Sequence, residues 1–136
     1  MSGLVGFEHV GMTCGDLDRT IAFYCGLLGL TLALRKKNER GEMAFLDTGS
    51  GMLEIACPVA EISRARDVPP HEAGTRHLTF AFESVDATFA RLEAAGVEII
   101  EPPRPAYFVE MIKRVAFVRD PDGIIVELVE RAEGRR

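Results

Sequence analysis

The chain has few cysteines, no long apolar run and no excess of basic residues. Its three cysteines (Cys14, Cys25 and Cys57) have no C-x-x-C spacing, which argues against a disulfide framework or a thiolate zinc site. No run of about 20 apolar residues could span a membrane, and the first residues lack a signal-peptide pattern. The formal net charge of −5 disfavours a nucleic-acid surface. We therefore expect a cytoplasmic protein that binds neither membranes nor nucleic acids.

The length and composition are those of one globular domain. The chain has 136 residues, of which 47% are apolar and 27% charged. This size is within the usual range for one domain, and the proportions are ordinary for a folded protein. We predict a single domain over residues 1–136.

The sequence contains two copies of one unit. Module one (5–57) and module two (76–130) are joined by a charged, Pro-containing linker (58–75). His9 and His77 are 68 residues apart (77 − 9), and Glu54 and Glu127 are 73 apart (127 − 54). Apolar periodicity and turn residues predict the following strands and helices. Module one has strands at 7–13, 31–35, 43–47 and 52–57 and a helix at 16–28; module two has strands at 76–82, 97–100, 115–118 and 124–129, a helix at 85–95 and a loop at 102–105.

These elements predict an α+β fold of two βαβββ modules. We expect their strands to form a curved, partly closed mixed β-sheet with the helices on the outside. Side chains alternate between the two faces of a strand. The more apolar face should pack on the helices, which leaves the other face to line a cavity.

Four residues on that second face are candidate metal ligands: His9, Glu54, His77 and Glu127. Any one of them alone would be an ordinary core or surface residue. Their occurrence at equivalent positions of two repeats favours a shared function. Two imidazoles and two carboxylates suit a divalent first-row metal, here Ni, Co, Zn, Mn or Fe. The sequence therefore predicts a metal cavity enclosed by the sheet.

Several motifs together resemble the vicinal oxygen chelate superfamily, also called the glyoxalase/bleomycin-resistance/dioxygenase fold. The matching stretches are 8–12, 16–24, 28–30, 52–55, 76–80 and 117–128. The resemblance implies paired βαβββ modules, a metal bound by the first and last strands of each module, and a homodimer.

A fourth ligand at Glu54 makes the chain similar to glyoxalase I and methylmalonyl-CoA epimerase. Those enzymes remove a proton next to a carbonyl and stabilise an enediolate or enolate on the metal. We therefore predict a glyoxalase-like lyase or isomerase that acts on a small molecule with neighbouring oxygens, with Glu127 as the catalytic base. Glu39, in a Glu-Arg-Gly stretch that resembles the epimerase's, is a second candidate base.

Other assignments stay open within this family. Bacterial glyoxalase I relatives bind glutathione with an Arg and an Asn, where this chain has Thr13 and Pro58. Extradiol-type dioxygenases use two His and one Glu, which would leave Glu54 without a role. Bleomycin-resistance relatives bind antibiotics in the same cavity without a metal. Arg104 and Tyr107 are candidate substrate contacts in the predicted loop.

Overall fold

The structure is a computed structural model that describes residues 2–135. The chain folds into two compact units, Met1–Ser63 and Arg64–Arg136. Each unit contains one βαβββ module, so the predicted α+β class and its two modules are confirmed. The first module consists of β1 (His9–Thr13), α1 (Leu17–Ile21) with a π-helical continuation (Ala22–Leu27), β2 (Thr31–Asn38), β3 (Gly41–Asp47) and β4 (Met52–Pro58). The second consists of β5 (Leu78–Ala81), α2 (Val85–Ala94), β6 (Ile99–Pro105), β7 (Ile112–Arg119) and β8 (Ile125–Arg131).

Each module forms its own four-stranded mixed sheet, and the two sheets share one topology. Their strand orders are β1-β4-β3-β2 and β5-β8-β7-β6. The first and last strands of each module are parallel neighbours, whereas the remaining pairs are antiparallel. The register pairs Gly11 with Glu54 in one sheet and Thr79 with Glu127 in the other. The repeat seen in the sequence is therefore also a repeat of strand register.

The first helix has a wider second half than the sequence predicts. Asp16 caps its start by accepting a hydrogen bond from the Arg19 amide at 3.0 Å. The Leu28 amide then donates to the carbonyl of Phe23 rather than to that of Tyr24, which is the spacing of a π-helix. Phe23 and its neighbour Tyr24 are both buried, with ring centroids 4.9 Å apart. The wider turn thus lets two consecutive aromatic side chains enter the core.

Burial alternates along the strands that carry the candidate ligands. Leu53 and Ile55 are buried on either side of Glu54, and Val126 and Leu128 are buried on either side of Glu127. Both glutamates stay partly exposed. Apolar side chains on one face therefore form the core of each module and leave the opposite face accessible.

The predicted loop at 102–105 is wrong, because this segment belongs to strand β6. Its prolines have no amide hydrogen, and a central strand needs hydrogen bonds along both of its edges. As an edge strand, however, β6 pairs only with β7, and its register shifts between Ile99 and Glu101 and again between Glu101 and Arg104. The irregular pairing accommodates the prolines.

The strand predicted at 76–82 is shorter in the structure, where β5 comprises Leu78–Ala81. His77 therefore directly precedes β5.

Much of the predicted linker packs on module two. Arg119 binds both carboxylate oxygens of Asp67, at 2.7 and 2.9 Å, and Arg64 binds Glu98 at 2.7 Å. The Arg119 guanidinium lowers the pKa of Asp67 through these hydrogen bonds. The side chain of Arg64 also lies over Gly123, where a Cβ would be 2.9 Å from its Cγ. This segment is therefore part of the folded unit rather than a free connection.

No helix within residues 2–135 is both long enough and apolar enough to cross a membrane. Within the described residues the three cysteines form no disulfide, and Cys14 is the fully buried one among them.

Candidate functional site

In module two, His77 and Glu127 lie together at the pairing of two parallel strands. The imidazole Nδ1 of His77 is 3.5 Å from Oε1 of Glu127. The hydroxyl of Thr79, which pairs with Glu127 in the sheet, joins both side chains. Its Oγ1 lies 2.9 Å from His77 Nδ1 and donates to Glu127 Oε1 at 2.9 Å. The hydroxyl thus connects the two candidate ligands of this module.

In module one, His9 and Glu54 occupy the corresponding places. The imidazole Nε2 of His9 is 3.9 Å from Oε2 of Glu54, and its Nδ1 is 3.6 Å from Oε1 of Glu8. Both distances exceed those of a hydrogen bond. Gly11, at the position equivalent to Thr79, has no side chain to bridge them. The pair is therefore close but not linked in the way that its counterpart is.

Each candidate histidine also packs against a phenylalanine from the strand that is the antiparallel neighbour of the glutamate's strand. Phe45 pairs with Glu54, and Phe117 pairs with Glu127. The rings of His9 and Phe45 have centroids 5.8 Å apart at 90°, and those of His77 and Phe117 have centroids 5.8 Å apart at 81°. Edge-to-face contact of this kind is favourable and orients both rings. The repeat therefore extends to the packing of the imidazoles.

The donors within each module fit one half of a divalent metal site. Each module brings together one imidazole and one carboxylate, which are common ligands of first-row metals. No group of three or more His, Cys, Asp or Glu side chains that could hold an ion occurs in the described part of the chain. The two pairs support the predicted set of His9, Glu54, His77 and Glu127, and the complete set of four stays a prediction.

Glu39, the second candidate base, lies in the exposed turn between β2 and β3. That turn leads into Gly41, which pairs with Pro58 on β4. Four residues of strand (58 − 54) separate Pro58 from Glu54, which corresponds to about 13 Å along β4. Within module one, the turn therefore lies well away from the His9–Glu54 pair along the strand. The catalytic role of Glu39 stays a prediction.

Arg104 and Tyr107, the candidate substrate contacts, are in contact with each other. The guanidinium carbon of Arg104 lies 4.3 Å from the centre of the Tyr107 ring. Arg104 also forms an ion pair with Glu101, and that hydrogen bond is the main reason why the pKa of Arg104 is raised. The charge of Glu127 raises it further. The guanidinium of Arg104 is thus held between Glu101 and Tyr107, and the Tyr107 ring is largely exposed.

The remaining residues singled out in the sequence lie on accessible surface. Thr13 and Pro58, which replace the glutathione contacts of the resembled enzymes, are exposed at the ends of β1 and β4. His71 is exposed in the linker. The hydrogen bonds of Thr79 to His77 and Glu127 were not predicted from the sequence. Its position two residues after His77, on the same face, was the available signal.

Comparisons with known proteins agree with this architecture. The family model of the Glyoxalase/Bleomycin resistance protein/Dioxygenase superfamily matches residues 6–128. A probable lactoylglutathione lyase of Vibrio cholerae is 31% identical over 131 residues, covering 92% of this chain and 90% of that protein. The crystal structure of a glyoxalase family protein from Enterococcus faecalis superposes with a TM-score of 0.71 at 30% identity, over 90% of this chain and 95% of that one.

Glyoxalase I from Zea mays has a TM-score of 0.75 to this chain at 28% identity. The match covers 94% of this chain but only 45% of the maize protein, which is therefore about twice as long. The duplicated modules, their strand register and the family match agree. The chain therefore belongs to the Glyoxalase/Bleomycin resistance protein/Dioxygenase superfamily.

Proposed function

We propose that this protein is a metal-dependent lyase of the glyoxalase kind. The observation that carries the proposal is the repetition of one His–Glu pair in both modules, with each glutamate in the same strand register and each histidine against a phenylalanine ring. The similarity to a probable lactoylglutathione lyase supports the reaction class. The proposed ligands of the ion are His9, Glu54, His77 and Glu127.

A complete set of four donors requires one pair from each type of module, because each module supplies only two. The proposed working unit is a homodimer. The ion is Ni, Co, Zn, Mn or Fe, since imidazole and carboxylate ligands suit all of these.

The proposed reaction is proton transfer at a carbon next to a carbonyl. When bound, a divalent ion supplies Lewis acidity that stabilises negative charge on a substrate oxygen. Glu127 takes the proton, while the Thr79 hydroxyl holds its Oε1. Arg104, which stacks on Tyr107 and pairs with Glu101, is a proposed contact for a negatively charged part of a substrate. Glu39 is the second proposed base.

The proposed substrate is a small molecule with neighbouring oxygens that is bound to a thiol. Lactoylglutathione is the compound named in the V. cholerae relative. In this chain, Thr13 and Pro58 offer no charged or amide side chain for a glutathione tail. We expect turnover of adducts between a thiol and a 2-oxoaldehyde, with a weaker preference for glutathione than in the resembled enzymes.

The first experiment is elemental analysis of the purified protein beside the His77→Ala variant. We expect about one divalent ion per chain in the wild type and its loss in the variant, because metal affinity depends on the full ligand set. Turnover is then followed in D₂O with the adduct of glutathione and methylglyoxal. Deuterium at the carbon next to the thioester carbonyl of the product would support proton abstraction.

Two results would contradict the proposal. One is the absence of metal after reloading with each candidate ion, which would favour a ligand-binding protein. The other is oxygen consumption with catechols in place of adduct turnover, which would favour a dioxygenase.

A further inference from the structure

We propose that Thr79 is a positioning residue that prepares module two, but not module one, for metal binding. Its hydroxyl fixes the imidazole of His77 with the proton on Nδ1 and holds the carboxylate of Glu127. This inference rests on the proposed function, since it concerns two of the proposed ligands. The test below separates the failure of one from the failure of the other.

The hydrogen-bond chain determines which nitrogen of His77 carries the proton. A threonine hydroxyl has one hydrogen to donate, and Thr79 donates it to Oε1 of Glu127. Toward Nδ1 of His77, at 2.9 Å, the same oxygen must therefore act as an acceptor. The proton then resides on Nδ1, which leaves a lone pair on Nε2. A metal binds to such a lone pair, and a bond at the other nitrogen selects the tautomer.

The same chain restricts Glu127. The glutamate accepts from a hydroxyl that is itself held by the histidine, so neither side chain turns without breaking a hydrogen bond. The side chain of Glu127 is only 13% exposed, whereas that of Glu54 is 43% exposed. Module two therefore presents a pair that is ordered before any ion arrives, and less side-chain freedom is lost on binding.

Module one provides the comparison within the same chain. Its histidine packs on a phenylalanine at the same 5.8 Å, and its glutamate has the same strand register. The position of Thr79 is occupied by Gly11, where a Cβ would meet only Oε1 of Glu54, at 3.9 Å. Space for a side chain is thus present but unused. The two modules differ at this position in whether a hydroxyl links the proposed ligands.

The first measurement is the tautomer of His77 in the metal-free protein, read from long-range ¹H–¹⁵N correlations of the imidazole. The spectrum also reports directly whether one or both ring nitrogens carry a proton. We expect the proton on Nδ1 in the wild type and in Thr79→Ser, and a mixture of tautomers in Thr79→Val. Valine has nearly the same shape and favours strands, so the fold should be retained. His9 is the internal reference.

The second measurement is metal affinity, by competition with a chelator of known strength. We expect Thr79→Val to bind about 10- to 100-fold more weakly, which is the usual effect of losing a partner of a metal ligand. Thr79→Ser should restore the affinity to within a few-fold. Thr31→Val, the same change on the exposed strand β2, serves as the control and should leave affinity unchanged.

The outcomes separate the two proposals. An unchanged His77 tautomer in Thr79→Val, or wild-type His77 with its proton on Nε2, would overturn the positioning role. Unchanged metal affinity in that variant would do the same. If the wild-type protein binds no metal but the tautomer changes as expected, the proposed metal site fails while the action of Thr79 on His77 is supported.

Discussion

Replacing Glu127 with glutamine tests the proposed base with little disturbance of the fold. Glutamine has nearly the same volume, and its side-chain carbonyl can still accept the hydrogen bond from Thr79. The change removes the charge and the basicity of the carboxylate. General-base catalysis typically contributes about 10²–10⁴-fold. We expect kcat to fall by at least about 100-fold, equivalent to about 2.7 kcal/mol of barrier.

The assay must separate proton transfer from metal binding, because Glu127 is proposed for both. Turnover of the thiol–aldehyde adduct is measured at saturating metal, and bound metal is quantified in the same sample. Glu54→Gln is the matched variant, since Glu54 has the same register in module one. If Glu127→Gln retained its metal and turned over at the wild-type rate, the assignment of Glu127 as the base would be wrong.

Three further predictions concern the metal and the fold. Removing the metal with a chelator should lower the Tm of the wild type but not that of His77→Ala, because a ligand bound only by the folded state stabilises it. Asp67→Asn should lower the Tm at pH 7, and its difference from the wild type should shrink steadily as the pH falls below the ordinary aspartate pKa of 3.8, because Arg119 lowers the pKa of Asp67 and the stabilisation is lost as the pH falls through the depressed value. Leu128→Ala should cost about 2–5 kcal/mol in urea unfolding, because the side chain is fully buried.

The sequence predicted the arrangement of the modules because its signals were repeated. A strand pattern with His9 and Glu54 is weak evidence by itself, but it recurs with His77 and Glu127 at nearly constant spacing. Alternation along each strand then placed apolar neighbours in the core and left both glutamates accessible. Because the pattern occurs twice, the strands and candidate ligands assigned in one module support those assigned in the other.

The errors arose where local rules depend on tertiary context. Prolines disfavour strands, so the sequence predicted a loop at 102–105, yet an edge strand needs hydrogen bonds on only one side. The π-helical continuation of α1, which coincides with the burial of Phe23 and Tyr24, was likewise not predicted. Neither the edge position of β6 nor the space around α1 is encoded in residue spacing.

The difference between Thr79 and Gly11 could be read from the sequence only after the strand register was known. Two copies of one unit are expected to make the same contacts except where their sequences differ. Here the packing on phenylalanine and the strand register of the glutamates are the same in both copies. Only in module two does a hydroxyl link the histidine to the glutamate, so only that His–Glu pair is ordered by hydrogen bonds. Module two therefore has the more ordered pair, whereas the pair of module one retains more side-chain freedom.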